Sequence, residues 1–306
     1  MEIRPEVREQ LERGGAVVAL ESTVIVHGLP APHNLECAAR MDAAVREGGA
    51  VPALVAVLDG RICVGLGPEE VAALARGPRI PKASTRDLAV LSAAGGSGAT
   101  TVAATAFVAR RTGIEVMATG GIGGVHRGTG RRLDISADIL ELGRTSVAVV
   151  CSGAKAILDL PATLEALEAA GVAVAGYGTD EFPAFYARES GLRLEHRIDS
   201  PAEAARLIRR LGELGLSGGV LLCNPPPRGS ALPGQQVEAM VEAAVKAAEQ
   251  AGIHGKAVTP FLLGRIAEQT AGRAVKANRA LLEQNARLAG LIASACASAE
   301  EGQLAG

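Results

Sequence analysis

Lys155 stands in the segment Ser152–Gly153–Ala154–Lys155–Ala156–Ile157–Leu158, directly after the apolar run Val147–Cys151. An amine set among small and apolar residues at a strand end can lose its proton and attack a carbonyl carbon, forming a Schiff base. The same placement suits a cation that binds phosphate, or a surface Lys whose stem lies along apolar neighbours. Composition adds weight to chemistry. Only five of the 31 basic residues are Lys (Lys82, Lys155, Lys246, Lys256 and Lys276), and the other 26 are Arg. Arg cannot give up its proton, so a Lys kept in this context calls for a chemical reason.

Other strand ends carry polar groups. Glu21 follows Val17–Leu20 and precedes Ser22–Thr23; a carboxyl at the lip of a buried strand can hold its proton and act as an acid, or can cap the next turn. Thr119 is followed by Gly120–Gly121–Ile122–Gly123–Gly124–Val125–His126–Arg127–Gly128. Such glycines let backbone amides approach a ligand, but the run is neither a P-loop nor a dinucleotide fingerprint. His126 is either a ligand-binding group or a surface-loop His. In Asp134–Ile135–Ser136–Ala137–Asp138, Asp134 reads as a helix N-cap, and the two carboxylates four residues apart could also hold a hard divalent cation. Gly95–Val102 leads into a helix whose first amides could bind a phosphate dianion, with Lys82 adding charge; a capped helix start and a solvated Lys are the plain alternatives. Asn224 and Asn278, two of four Asn, could orient a polar ligand group or satisfy a turn or helix end.

The elements that must place these groups alternate between short apolar runs and longer helical patterns, which predicts an α/β fold. Strands are expected at 16–20, 51–58, 62–66, 114–118, 147–151, 172–177 and 220–223, with a less apolar one at 192–198. Asp59–Gly60 reads as a hairpin turn, so at least one antiparallel pair should join the sheet. Helices are expected at 35–47, 68–75, 101–111, 136–142, 157–169, 202–214 and 236–251. A further helix begins at the Thr259–Pro260 cap, and a long amphipathic run covers 281–297. No repeat or linker divides the 306 residues, and one domain spanning 1–306 is expected.

Hydrophobic residues make up 48% and charged residues 21%, with a net charge of −2 and only 2% aromatics. Nucleic acid is disfavoured twice over: there is no basic excess, and there are almost no stacking platforms. Four of the six aromatics crowd into Tyr177–Tyr186, where interface or core packing is the preferred reading over stacking on a ligand. The charged N-terminus lacks a signal-peptide core and no window has membrane-span length, so cytoplasmic residence is expected. The five widely spaced Cys form no CxxC pair and read as buried reduced thiols.

Taken together, these segments resemble the pseudouridine-5′-phosphate glycosidase family, which includes the indigoidine-cluster protein A relatives. The matching residues are Ala19–Thr23 with His27–Gly28, Gly98–Ala103, Ala118–Gly128, Asp134–Asp138, Gly153–Leu160 and Thr259–Leu263. The resemblance implies a homotrimer of three-layer α/β/α subunits with a mixed, mostly parallel sheet. It implies that Lys155 forms the Schiff base with C1′ of ribose and that Glu21 is the proton donor. Asp134 would bind a divalent metal, Mn²⁺. Lys82, Val102, Ser136, Ala137 and Asp138 would contact the substrate, with His126 and Asn278 near the base. The activity implied is reversible cleavage of the C–C glycosidic bond of pseudouridine 5′-phosphate to uracil and ribose 5-phosphate, in pseudouridine catabolism. Another Schiff-base reaction on a pentose phosphate, such as an aldolase-type cleavage, uses similar groups. A non-catalytic sugar-phosphate binder would need no combination of Glu21, Asp134 and Lys155.

Overall fold

A computed structural model of the chain describes residues 1–127, 134–253 and 258–304. In chain order the elements are β1 (Glu2–Ile3), α1 (Pro5–Glu12), β2 (Val17–Glu21), a π-helical turn (Val24–Gly28), α2 (His33–Glu47), β3 (Val51–Leu58), β4 (Arg61–Val64), α3 (Pro68–Arg76), β5 (Lys82–Ala83), α4 (Thr85–Ala93), β6 (Gly98–Thr100), α5 (Val102–Thr112) and β7 (Val116–Ala118). There follow β8 (Val125–His126), α6 (Ala137–Leu142), β9 (Ala148–Cys151), β10 (Leu158–Asp159), α7 (Leu160–Ala169), β11 (Ala173–Tyr177), β12 (His196–Ile198), α8 (Pro201–Glu213), β13 (Val220–Cys223), α9 (Gly234–Gln250), α10 (Val258–Gln269) and α11 (Arg273–Leu304).

Among the described residues, eleven strands form one mixed sheet with the main order β1-β4-β3-β2-β7-β9-β13-β11-β12, and β6 with β5 branches from β3. Every pairing is parallel except β3 with β4 and β3 with β6. Helices cover both faces, as the α/β/α expectation requires. The central strands β2, β7, β9 and β13 are buried along their whole lengths. This explains why they read as continuous apolar runs rather than alternating ones. The hairpin turn is as expected: Asp59 and Gly60 both have positive φ (48° and 77°), the geometry of a tight turn between antiparallel strands.

Several expectations need correction. Gly98–Thr100, for which no strand was expected, is a strand that pairs with both β3 and β5. The Ile157–Ala169 helix starts only at Leu160, because Leu158 and Asp159 pair with Val125 and His126 instead. The 192–198 strand shrinks to His196–Ile198, and 281–297 is the middle of the longer α11. Thr259 lies inside α10 and is not its cap. Gly128 and Lys256 lie outside the described residues. The helices α1 and α4 were not anticipated. Both are short, and α1 buries only Val7 and α4 only Leu88, so neither has a strong apolar period.

α11 crosses α2 and also packs on β2, β7 and β9. The crossing is close because Gly48 and Gly290 face each other. A β-carbon on Gly290 would lie 2.6 Å from the Val45 carbonyl oxygen and 3.0 Å from Gly48 Cα. The Ser294 hydroxyl donates to the Gly48 carbonyl at 2.8 Å, and Arg287 pairs with Glu47 beside it. Gly290→Ala should therefore destabilise the protein. The gain of about 1 kcal/mol in helix propensity is outweighed by overpacking against backbone that cannot swing aside. Thermal unfolding should show a lower Tm, and an unchanged or raised Tm would show that the crossing has slack.

Candidate active site

Register gathers the polar strand ends. Leu20 is opposite Ala118, Ala118 is opposite Val150, and Cys151 is opposite Cys223. Glu21, the last residue of β2, and Thr119, Ser152 and Asn224, the first residues beyond β7, β9 and β13, therefore lie within one residue of a common level at the carboxyl ends of these strands. This is where α/β sheets place ligands.

Past the strands, the β7–β9 pairing continues through glycine. Ser152 N donates to Gly120 O (2.8 Å), Ile122 N to Gly153 O (3.1 Å), and Lys155 N to Ile122 O (3.0 Å). These three bonds fix the Lys155 backbone against the Gly120–Ile122 run. Glycine is required at 121 because a β-carbon there would sit 2.6 Å from Phe185 Cδ2 and 3.0 Å from Gly153 O. Phe185 holds this wedge position with φ of +59° and donates its N–H to Ser152 O at 3.0 Å. A left-handed aromatic is uncommon and costs backbone strain, which the surrounding packing must hold. Phe182, Phe185 and Tyr186 are buried, with Phe185 and Tyr186 edge to face at 4.7 Å. The aromatic cluster is thus core, and it braces the two glycine runs.

Glu21 is buried, and its Oε1 accepts from Thr119 Oγ1 at 2.5 Å. Burial pushes its carboxyl above the ordinary value of 4.5; Lys155, the Thr119 hydroxyl and Lys82 pull the other way, and Asp138 adds to the rise. The four named neighbours place Glu21, Lys155, Lys82 and Asp138 in one electrostatic field. His126 shares it: burial and the cations Lys155 and Lys82 push its pKa down, against the pull of Asp134.

Asp138 is buried and fully engaged. Oδ1 accepts from Ala103 N (2.9 Å) and Oδ2 from Gly123 N (2.8 Å). One carboxylate thus ties the start of α5 to the glycine run. The cap of α6 is Ser136, whose Oγ accepts from Asp138 N at 3.2 Å; Asp134 is not the cap. Asp134 instead runs beside the site strand, its carbonyl accepting from His126 N at 2.9 Å. Of the carboxylate pair, Asp138 braces backbone. Among the described residues, no group of three His, Cys, Asp or Glu side chains is arranged to hold a metal.

At the α5 start, Thr101 caps Ala104 N and Asp138 takes Ala103 N, so Val102 contributes the first-turn amide with no partner among the described residues. Lys82 reaches the same corner, since β5 pairs with β6 just before α5. Ser22, Thr23 and Thr100 lock that corner through hydroxyl bonds, including Thr23 Oγ1 to Thr100 O (2.8 Å) and Thr100 Oγ1 to Val55 O (2.6 Å). Ser136 and Ala137 lie at the α6 start beside Asp138.

Asn278 comes from α11. Its turn is followed by Leu281 and Leu282, whose methyls would lie 3.2 Å from a β-carbon at Gly120, so Asn278 stands one turn further out over the glycine run. Its side chain is buried and Oδ1 has no hydrogen-bond partner among the described residues. Cys151 and Cys223 are fully buried neighbours on β9 and β13, and burial pushes the Cys223 thiol well up, so they floor the site as inert thiols. Sequence reasoning missed Thr119 as the partner of Glu21, and missed Asn285, a fully buried polar residue. An Asn on the apolar stripe Leu281–Leu282–Leu288–Ala289 was the signal available.

A family model described as Indigoidine synthase A like protein matches residues 6–295. The chain is 53% identical over 294 residues to the pseudouridine-5′-phosphate glycosidase of Solibacter usitatus, covering 96% of this chain and 98% of that one. It is 54% identical over 298 residues to the protein of the same name in Paracoccus denitrificans, covering 97% and 98%. Among solved structures, the prealnumycin C-glycosynthase in complex with ribulose 5-phosphate superposes with a TM-score of 0.91 at 40% identity, covering 98% of both chains. An indigoidine synthase A-like protein from Thermotoga maritima gives 0.88 at 40% identity, covering 97% of this chain and 96% of that one.

The buried Glu21 carries a pH signature. Its folded pKa is raised, so its contribution to stability is complete below the ordinary value of 4.5 and is lost as pH rises through the folded value. Glu21→Gln keeps the acceptor for Thr119 and removes the charge. The Tm of the variant relative to wild type should climb as pH rises from below 4.5 through the raised folded value. A pH-independent Tm difference would contradict a raised Glu21.

Proposed function

Because this chain belongs to the indigoidine synthase A-like family, we propose that it cleaves the C–C glycosidic bond of pseudouridine 5′-phosphate through a Schiff base on Lys155. The observation that carries this reading is that Lys155 acts electrostatically on a buried Glu21 whose carboxyl burial holds above its ordinary value. The base of pseudouridine is bonded to C1′ through carbon, so protonating a nitrogen at C1′ cannot release it. The two-carboxylate route of ordinary glycosidases is a poor match.

Glu21 protonates the ring oxygen O4′ as the C1′–O4′ bond breaks and Lys155 Nζ bonds to C1′. The proton shed by the nitrogen passes to C5 of the uracil. The nitrogen lone pair then forms C1′=N while the C1′–C5 pair returns to the ring, releasing uracil. Water adds to the imine, and ribose 5-phosphate leaves. The same steps in reverse join uracil to ribose 5-phosphate with loss of water.

Lys82 and the Val102 amide at the start of α5 hold the phosphate. Ser136, Ala137 and Asp138 line the sugar. Neutral His126 and the unpaired Asn278 carbonyl oxygen meet the uracil edge, Asn278 accepting from a ring N–H. With only six aromatics in the chain, the base is held by such bonds and apolar contacts rather than stacking.

Asp134 fits a hard cation such as Mn²⁺: a single carboxylate is the sparse, oxygen-only donor set that water and substrate oxygens complete. When bound, the cation supplies positive charge beside the substrate. The working unit is a homotrimer, as the family resemblance implies; among the described residues no helix is long and apolar enough to cross a membrane.

Uracil release from pseudouridine 5′-phosphate tests the reading. Lys155→Arg should keep the fold and Tm but lose at least about 10³-fold in kcat, because removing the nucleophile removes the covalent route. Turnover within a few-fold of wild type would refute the nucleophile. Chelation should slow uracil release, Mn²⁺ should restore it, and Asp134→Ala should remove the dependence. Equal rates with and without metal would remove the cation from the account.

A further inference from the structure

Asn285 is fully buried in α11, yet it is the polar group through which three strand ends meet. Its Nδ2 donates to the Thr119 carbonyl (2.9 Å) and to Ser152 Oγ (3.2 Å), and its Oδ1 accepts from Asn224 Nδ2 (3.0 Å). Asn224 Oδ1 in turn accepts from Gln284 Nε2 at 3.1 Å. Thr119, Ser152 and Asn224 are the first residues beyond β7, β9 and β13. The Thr119 carbonyl can only accept, so the orientation of the Asn285 amide is fixed by chemistry.

Two of these three partners, Thr119 and Ser152, lead to a reacting group. Thr119 holds Glu21 through its hydroxyl, and Ser152 opens the segment Ser152–Lys155 whose backbone is pinned to the Gly120–Ile122 run. An apolar side chain would serve helix-on-sheet packing better, since a buried carboxamide is tolerated only when all its bonds are made. Here they are made, and they bridge the acid's partner to the nucleophile's loop.

We infer that Asn285 is a positioning residue that sets the separation between Glu21 and Lys155. This rests on the catalytic roles proposed above. A shift of about 1 Å between reacting groups can cost about 10²-fold in rate, which is the scale of effect the inference requires.

The test uses Asn285→Ala, with Asn285→Asp as the isosteric variant should the alanine protein not fold, and Ile292→Ala as a control. Ile292 is fully buried on the same helix and has no polar link to the site. Asn285 variants should lose about tenfold or more in kcat for uracil release, with KM for pseudouridine 5′-phosphate within about twofold. Ile292→Ala should lower Tm comparably and leave kcat unchanged.

A second readout needs no substrate. The groups acting on Glu21 are the Thr119 hydroxyl, Lys155, Lys82 and Asp138. Loosening Thr119 weakens a bond that favours the carboxylate, so the Glu21 titration should move to higher pH. It is read from Tm against pH in Glu21 and Glu21→Gln pairs, each with and without the Asn285 substitution. Wild-type kcat in folded Asn285 variants, a kcat loss matched by Ile292→Ala, or an unmoved Glu21 titration would each overturn the inference. Absence of uracil release by the wild-type protein would instead sink the catalytic reading, while the titration still decides the role of Asn285.

Discussion

The structure depends on a pairing that outlasts its strands. β7 and β9 end at Ala118 and Cys151, but their hydrogen-bond ladder continues through Gly120, Ile122, Gly153 and Lys155. Two chains can run this close, with an aromatic ring wedged against them, only where β-carbons are missing. Gly121 would otherwise collide with Phe185, and Gly123 with Ser136. The ladder turns a flexible-looking, glycine-rich sequence into a rigid platform. It fixes where the Lys155 stem starts, and through Thr119 it fixes the acid. Asp138 then pulls helix α5 onto the same platform by accepting from both Ala103 and Gly123.

The electrostatics follow from that geometry. A carboxyl in the floor of a sheet loses its water, and burial outweighs the attraction of the two Lys nearby, so the Glu21 carboxyl is held above its ordinary value. His126 is pushed toward its neutral form by burial and the same two cations. On the function proposed above, that leaves the phosphate charge to Lys82.

Much of this was legible in the sequence. The buried parallel strands were readable because each is an uninterrupted apolar run ending in a polar residue, and the hairpin because Asp59–Gly60 can adopt positive φ. The scarcity of Lys singled out Lys155 and Lys82 before any coordinates. Illegible features depended on distant partners. Gly98–Thr100 is a strand only because β3 and β5 flank it, and Leu158–Asp159 leaves its helix only because Val125–His126 is there to pair with. Likewise Asp134 and Ser136 are both good caps in isolation; the backbone bond from His126 to the Asp134 carbonyl decides between them. Asn285 looked like one polar residue in a long amphipathic helix, and its meaning appears only when three strand ends converge on it.

The central claim is that Lys155 forms a covalent imine with the sugar. Borohydride reduction in the presence of ribose 5-phosphate, followed by peptide mass mapping, tests it directly. The account predicts a single reduced sugar-phosphate adduct on the peptide carrying Lys155, absent without borohydride and absent in Lys155→Arg. No adduct, or an adduct on a different Lys, would contradict it.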